Sequence, residues 1–326
     1  MKHILSQDGD ILNALEEACN ALGIDLKDTM HKLGLSPSLL LAPGKLVPSL
    51  LFGCILEAIA RDYHCHDLAL HVARKLQAPH LGLAARLMSL STTLRSGLDK
   101  AHLYSAFYQD TSHWQHKIDN DQLILFKTST RSSCEHWRQR NLFGIAQMFM
   151  LLKNMSGRLW RPSKISFSSK SLGGHFSDTF QQFFQCELAF EQAYDAIHIP
   201  IDALEFSVAT CDVNFMRGME TQIKILQQGL QENRDFIGRA RLIIDQRLSF
   251  AGCSQNELAF YMAITEDQLN AELAKSNISF ERLLEQQIAE KARYYLSEFK
   301  APHKLIVSAL MPYDEARLTA LLKADI

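Results

Sequence analysis

From residue 248 to residue 274 the chain carries no lysine and no arginine. A stretch without cations contributes little to phosphate neutralisation, the main source of non-specific nucleic-acid affinity. Cysteine is scarce and unpatterned. The seven residues, an odd number without a Cys-x-x-Cys pair, speak against a disulfide framework and fit a reducing cytosol. The N-terminal MKHILSQDGD lacks the apolar core of a signal peptide. The most apolar run, 46–60, is broken by Pro48, Ser49 and Gly53; it reaches about 15 residues against the ~20 that a membrane span needs. A cytoplasmic chain with no membrane partner is expected. Gly-rich phosphate loops, nucleophile elbows and carboxylate pairs at motif spacing are missing too, so neither enzymatic activity nor a cofactor is expected. Low-complexity tracts are absent.

What is present is an ordinary globular composition. With 326 residues and 47% hydrophobic content the chain buries a large core and divides into about two domains. The cation-free stretch is itself ordered by pattern. Ser254-Gln255-Asn256-Glu257 has the form of a capping box, in which hydroxyl and carboxylate satisfy orphan N–H groups of a first turn. Leu258, Ala259 and Met262 follow at helical spacing, and Thr265-Glu266-Asp267-Gln268 repeats the cap. Leu269 and Leu273 give the second helix a buried stripe, leaving Glu266, Asp267, Asn270, Ala271 and Ala274 outward. Two short helices joined by a tight turn are the helix-turn-helix element that enters the major groove. After Ser279-Phe280 a long amphipathic helix is predicted over about 281–298, with Leu284, Ile288, Ala292 and Tyr295 at helical spacing. Pro302 ends it. A short helix through Leu305, Ile306 and Leu310, then Asp314 as the cap of a last helix with Leu318, Leu321 and Leu322, form a second such unit.

This arrangement resembles the C-terminal domain of the AraC family of transcription regulators. The matching positions are Leu258-Ala259, Met262, Ile264-Thr265, Leu269, Leu273, Ser279-Phe280, Leu283-Leu284, Ala292, Leu296, Ala309-Leu310, Asp314, Leu318 and Leu322, all read as core or capping residues. The departures are where the family meets DNA. Positions usually basic hold Asp267, Ala271, Ile288 and Ala320; turn positions favouring Gly hold Ala263 and Met311; the chain ends at Ile326 without the family's Gly-x-x-Pro tail. Over 231–326 twelve basic residues face fourteen acidic ones, so the whole chain's net charge of −2 sits in the part expected to be basic.

The first two hundred residues are mixed. Helical patterns occur at 9–22, 48–62, 67–76, 84–90, 94–108 and 136–156, and strand-like runs at 122–128, 164–168 and 187–190. This part resembles the arabinose-binding-type N-terminal domain of ornithine and arginine regulators in the same family. The likeness rests on 33–37 (LGLSP), 67–73 (DLALHVA), 81–83 (LGL), Thr93-Leu94, Trp160-Arg161-Pro162, Phe190 and 199–204 (IPIDAL). The predicted fold is mainly α: an α+β effector domain over 1–205, a linker helix within 206–230, and an all-α domain over 231–326 with two helix-turn-helix units bridged by a long helix. The linker's Met216, Met219, Ile223 and Leu226 stripe either pairs with a second copy in a homodimer or packs on its own domain.

The family implies double-stranded DNA and a small-molecule effector as partners. Residues expected at DNA are Thr265, Gln268 and Asn270 for bases, Lys275, Arg282 and Lys291 for phosphates, and Thr319 and Lys323 from the second unit. Trp114, Trp137, Phe107 and Tyr108, with Trp160, either line an effector pocket or are plain core. His64-Cys65-His66 with His71 offers metal-ligand chemistry, but consecutive residues point apart and no metal is expected. Two functions stand. One is an effector-responsive DNA-binding regulator, with specificity from Thr265, Gln268 and Asn270 and phosphate grip from the cations of the connecting helix and its ends, Lys275, Arg282, Lys291, Arg293, Lys300 and Lys304. The other is an AraC-like protein that has lost its DNA contacts and acts as a sensor or a partner of another protein.

Overall fold

The computed structural model describes residues 6–7, 10–37, 40, 47–76, 82–103, 113–128, 137–157, 160–171, 174–232, 235–248, 253–262, 264–310, 316 and 318–320. It is a mainly helical chain, with one mixed α+β unit followed by an all-α one. Two compact units are separated by their contacts: 1–29 with 40–219, and 30–39 with 220–326.

In the first unit, β1 (Ser6–Gln7) pairs with β2 (Val47–Pro48), and α1 (Asp10–Ala21) and α2 (Leu26–Lys32) lie between them in sequence. Four helices follow: α3 (Ser49–Asp62), α4 (Leu68–Lys75), α5 (Gly82–Leu90) and α6 (Leu94–Leu103). The hairpin β3 (His113–Asp119) and β4 (Gln122–Thr128) closes with Asn120 in the left-handed region at φ 52°, which Asn tolerates better than most residues. Then come α7 (Arg138–Ser156), β5 (Lys164–Ser166), α8 (Gly174–Phe184), β6 (Glu187–Ala189) and β7 (Ala196–Pro200). The sheet runs β3-β4-β7-β5-β6; β5 and β6 are parallel, and α8 supplies the crossover that parallel strands require.

Leu123, Leu125, Ile165, Ile197 and Ile199 are buried and share one face of this sheet by register. Helix α7 is buried nearly all round and packs against α3 and α4. An aromatic cluster of Phe149, Phe167, Phe180, Phe183 and Phe184 fastens α8 to this core. Trp160, 2% exposed and 5.8 Å from Phe149, belongs to it as packing.

The second unit begins within α9 (Val213–Glu232) and continues through α10 (Phe236–Leu248), α11 (Gln255–Tyr261), α12 (Glu266–Lys275), α13 (Phe280–Phe299) and α14 (His303–Ala309). Residues 316 and 318–320 are helical, and Leu318 is fully buried. Met311, Asp314, Leu321, Leu322 and Lys323 lie outside the described residues, as does Ala263.

Candidate functional site

The outward face of α12 is built by two reciprocal caps. Ser254 Oγ accepts from the Glu257 N–H at 3.2 Å, and Glu257 Oε2 accepts from the Ser254 N–H at 2.9 Å. Burial pushes the Glu257 carboxyl up, but the Ser254 N–H and the Arg247 guanidinium pull it below its usual value. Arg247, 9% exposed, is ion-paired with Glu257 and lies 5.4 Å from the Tyr261 ring. At the next helix, Thr265 Oγ1 accepts from the Gln268 N–H at 3.2 Å while Gln268 Oε1 accepts from the Thr265 N–H at 3.0 Å. These caps fix where α11 and α12 start. Leu258, Ala259, Leu269 and Leu273 are buried beneath them.

Glu266, Asp267, Asn270, Ala271 and Ala274 are exposed, as their spacing predicts. The face is therefore acidic and small. Thr265 and Gln268 spend one side-chain oxygen each on the cap. Asn270 Oδ1 accepts from Gln255 Nε2 at 3.1 Å, which links α12 back to α11. Lys275, the cation nearest this face, is 2.6 Å from Glu272.

The phosphate candidates on α13 divide. Arg282 is exposed, and its guanidinium makes no hydrogen bond among the described residues. Lys291 is different: its side chain is 9% exposed, and its ammonium donates to Asp245 Oδ1 at 2.8 Å and to the Asp245 carbonyl at 2.9 Å. That pair ties α13 to α10 and commits the ammonium to the fold. Ile288, where the family usually has Arg, is fully buried and so is a core position here. Leu296, read as core, is 37% exposed. Thr319 Oγ1 lies 3.3 Å from His303 Nε2, joining the last helical residues to α14. Arg293 on α13, Lys300 just past its end and Lys304 on α14 are exposed, and so are Arg239 and Arg241 on α10, which the motif did not point to.

In the first unit, Trp137 is buried at the head of α7, with the Arg140 guanidinium 5.8 Å from its ring centre. Gly53 on α3 makes this packing possible: a Cβ there would stand 2.8 Å from the Trp137 ring and 2.9 Å from Arg140 Cδ. One turn on, Glu57 accepts from the Gln139 and Arg140 N–H groups and so caps α7 from a neighbouring helix. Burial pushes its carboxyl up to about 8, against the downward pull of those two N–H groups and of Arg138. Trp114 sits apart on β3, half-buried, opposite Lys127, whose ammonium is 5.9 Å from its ring centre. Phe107 and Tyr108 lie outside the described residues.

The histidine-rich run resolves into separate contacts. Cys65 Sγ is 3.4 Å and His71 Nε2 3.3 Å from the two oxygens of Asp67, which hold that carboxyl down at about 2, while the His66 ring packs on Phe176. Among the described residues no three His, Cys, Asp or Glu side chains converge as a metal site. Met216 of the linker stripe is buried, with Ser91 Oγ 3.7 Å from its sulfur, so this member packs on its own unit. Ile223 and Leu226 are placed on α9, and nothing further is described of their side chains.

Comparison with known proteins finds one family model, the arabinose-binding domain of AraC transcription regulators, N-terminal, which matches residues 23–207. Among curated proteins none matches. A solved structure, the transcriptional regulator CdpR from Pseudomonas aeruginosa, aligns over 95% of this chain and 93% of its own at 12% identity, with a TM-score of 0.49.

Proposed function

The chain belongs, through residues 23–207, to the family of AraC transcription regulators with an arabinose-binding N-terminal domain, and from that premise we propose that it is a cytoplasmic, effector-responsive transcription regulator that binds duplex DNA through its second unit. The observation that supports DNA binding is the pair of reciprocally capped helices α11 and α12, seated on a buried apolar stripe and followed by the twenty-residue α13. Such a pair presents the outer face of its second helix to base edges. Here that face offers Asn270 and the acids, and the phosphate grip falls to Arg282, Arg239, Arg241, Arg293, Lys300 and Lys304. No reaction is assigned. The one buried serine–histidine pair among the described residues, Ser166 Oγ and His198 Nε2 at 2.9 Å, spans neighbouring strands with both residues more than nine-tenths buried, so a substrate has no approach to it.

A second reading is favoured by a specific observation. Lys291 is tied to Asp245, Lys275 to Glu272, and α12 carries no exposed unpaired cation. A regulator with this surface keeps the fold and works as a sensor or as a partner of another protein. The deciding measurement is the affinity of the full chain for a mixed-sequence duplex as salt is varied. The first reading expects log K to fall linearly with log salt, at about 0.9 per phosphate neutralised. Absence of binding even at low salt sinks it and leaves the second.

A further inference from the structure

Strand β3 ends the five-stranded sheet, and it is not built as a guarded edge. Proteins protect an open strand by keeping it short, bulged or interrupted by proline, because its outward N–H and C=O groups template another strand. The opposite edge, β6, is only three residues long. Strand β3 has seven, HWQHKID, pairs with β4 one to one without a bulge, and holds no proline. Gln115 to Asp119 are all exposed, Ile118 by 59%. Lys117 is of the residue type that commonly blocks such an edge, but its ammonium lies 5.2 Å from the centre of the Tyr194 ring in its own unit.

The ladder decides which backbone groups of β3 face outward. The Lys127 N–H donates to the Asp195 carbonyl at 3.0 Å, and the Ile201 N–H donates to the Asp121 carbonyl at 3.0 Å. Odd-numbered positions along β4 therefore turn to β7, and even-numbered ones to β3. The β3 partners of those even positions include Gln115, Lys117 and Asp119. It follows that the N–H and C=O groups of Trp114 and Ile118 point away from the sheet. Their side chains lie on the face of the buried Leu123 and Leu125, since Ile118 stands opposite Leu123 and strand residues alternate between faces.

We propose that this edge is a homodimer interface, in which β3 of two copies of the chain pair antiparallel about a twofold axis at residue 116. All seven residues then overlap, and Trp114 of each copy stands opposite Ile118 of the other, on the apolar face. Four main-chain hydrogen bonds, two at each Trp114–Ile118 pair, follow without any from His116, which stands on the axis. On the other face Lys117 stands opposite Gln115, and Asp119 opposite position 113, so no charge meets its like. Neighbouring registers are worse. An axis at residue 117 sets Lys117 against Lys117, and an axis at residue 115 leaves Ile118 opposite a residue outside the strand. A foreign strand could make the same main-chain hydrogen bonds but lacks this matched pattern, so the occupant is a second copy.

The test uses the full chain, followed by sedimentation velocity at about 100 µM, a concentration that fills even a small interface of micromolar affinity. The parent is expected to sediment as a dimer, at twice the chain mass of 37.0 kDa. Ile118→Pro removes only an N–H that points away from β4, a place where an edge strand tolerates proline. This variant is expected to be monomeric and to keep the circular dichroism of the parent. Gln115 reports the register. Gln115→Lys sets a lysine opposite Lys117 in both halves and is expected to weaken the dimer about two- to thirtyfold, while Gln115→Glu is expected to tighten it by a similar factor. A parent that is monomeric at this concentration overturns the proposal. So does a dimer that survives in a folded Ile118→Pro, since its contact then lies elsewhere. Should Ile118→Pro fail to fold, the Gln115 variants decide: opposite shifts uphold the pairing, and shifts that are absent or of one sign overturn it. None of these readouts involves DNA or an effector, so the outcome is independent of the function proposed above.

Discussion

Lys291 and Arg282 stand on the same helix and carry the same charge, but only Lys291 is held by a carboxylate. Replacing Lys291 with Met keeps most of the stem and takes the ammonium away from Asp245, whose side chain is 36% exposed. The expected loss is about 1–2 kcal/mol of stability, less than for a fully buried ion pair, since water reaches Asp245; urea unfolding measures it. The salt dependence of DNA binding should not change in this variant. Arg282→Ala is expected to do the opposite, leaving stability within about 0.5 kcal/mol and reducing the salt slope by about 1. Glu57 gives a residue-scale prediction of another kind. Its carboxyl lies near 8 in the fold against an ordinary 4.5, so the folded state favours the protonated form. Stability from this group is full below about 4.5 and is lost as pH rises towards 8. Glu57→Gln accepts the same two N–H groups without titrating. Its melting temperature relative to the parent should therefore climb between pH 5 and 8; a constant difference across that range would show that Glu57 is ionised throughout.

At the scale of elements, the caps of α11 and α12 were legible because their signature is chemical: a hydroxyl followed three residues later by Glu or Gln. Both caps are present in full, and Pro302 stands one turn past the end of α13, as its missing N–H requires. Other elements carried no such mark. Strand β3 (HWQHKID) is an edge strand with His116 and Lys117 exposed and Ile118 59% exposed, so no alternation of apolar residues betrays it. Strand β7 (AIHIP) is central, buried on both faces and only five residues long, too short for period to tell strand from loop. The Lys291–Asp245 pair spans 46 residues between two helices, and the Gly53–Trp137 approach joins helices distant in sequence. Tertiary pairs of this kind leave no periodicity behind. The caps themselves are testable. Thr265→Ala should cost about 1 kcal/mol, and Thr265→Asn should recover most of it, because the asparagine oxygen caps as well. Equal losses in both variants, read by urea unfolding, would mean that Thr265 stabilises α12 through packing instead.

For the molecule as a whole, the decisive quantity is where charge lies. Residues 1–230 are balanced, and the net of −2 falls within 231–326, on the unit proposed to meet a polyanion. Helices α11 and α12 with their caps and buried leucines are present, while the outward face of α12 carries acids and alanines, so fold and affinity are to be tested separately. Ala271 and Ala320 are both exposed, one on α12 and one among the last helical residues, and neither takes part in a cap. Changing both to Arg brings 231–326 to neutrality without disturbing packing. If these faces meet DNA, each added guanidinium should steepen the salt slope by about 1 and raise affinity most at low salt. Should the slope stay that of the parent while the melting temperature is unchanged, the two faces lie away from the duplex. The chain then acts through its effector domain and a protein partner, with α11 and α12 retained as a scaffold.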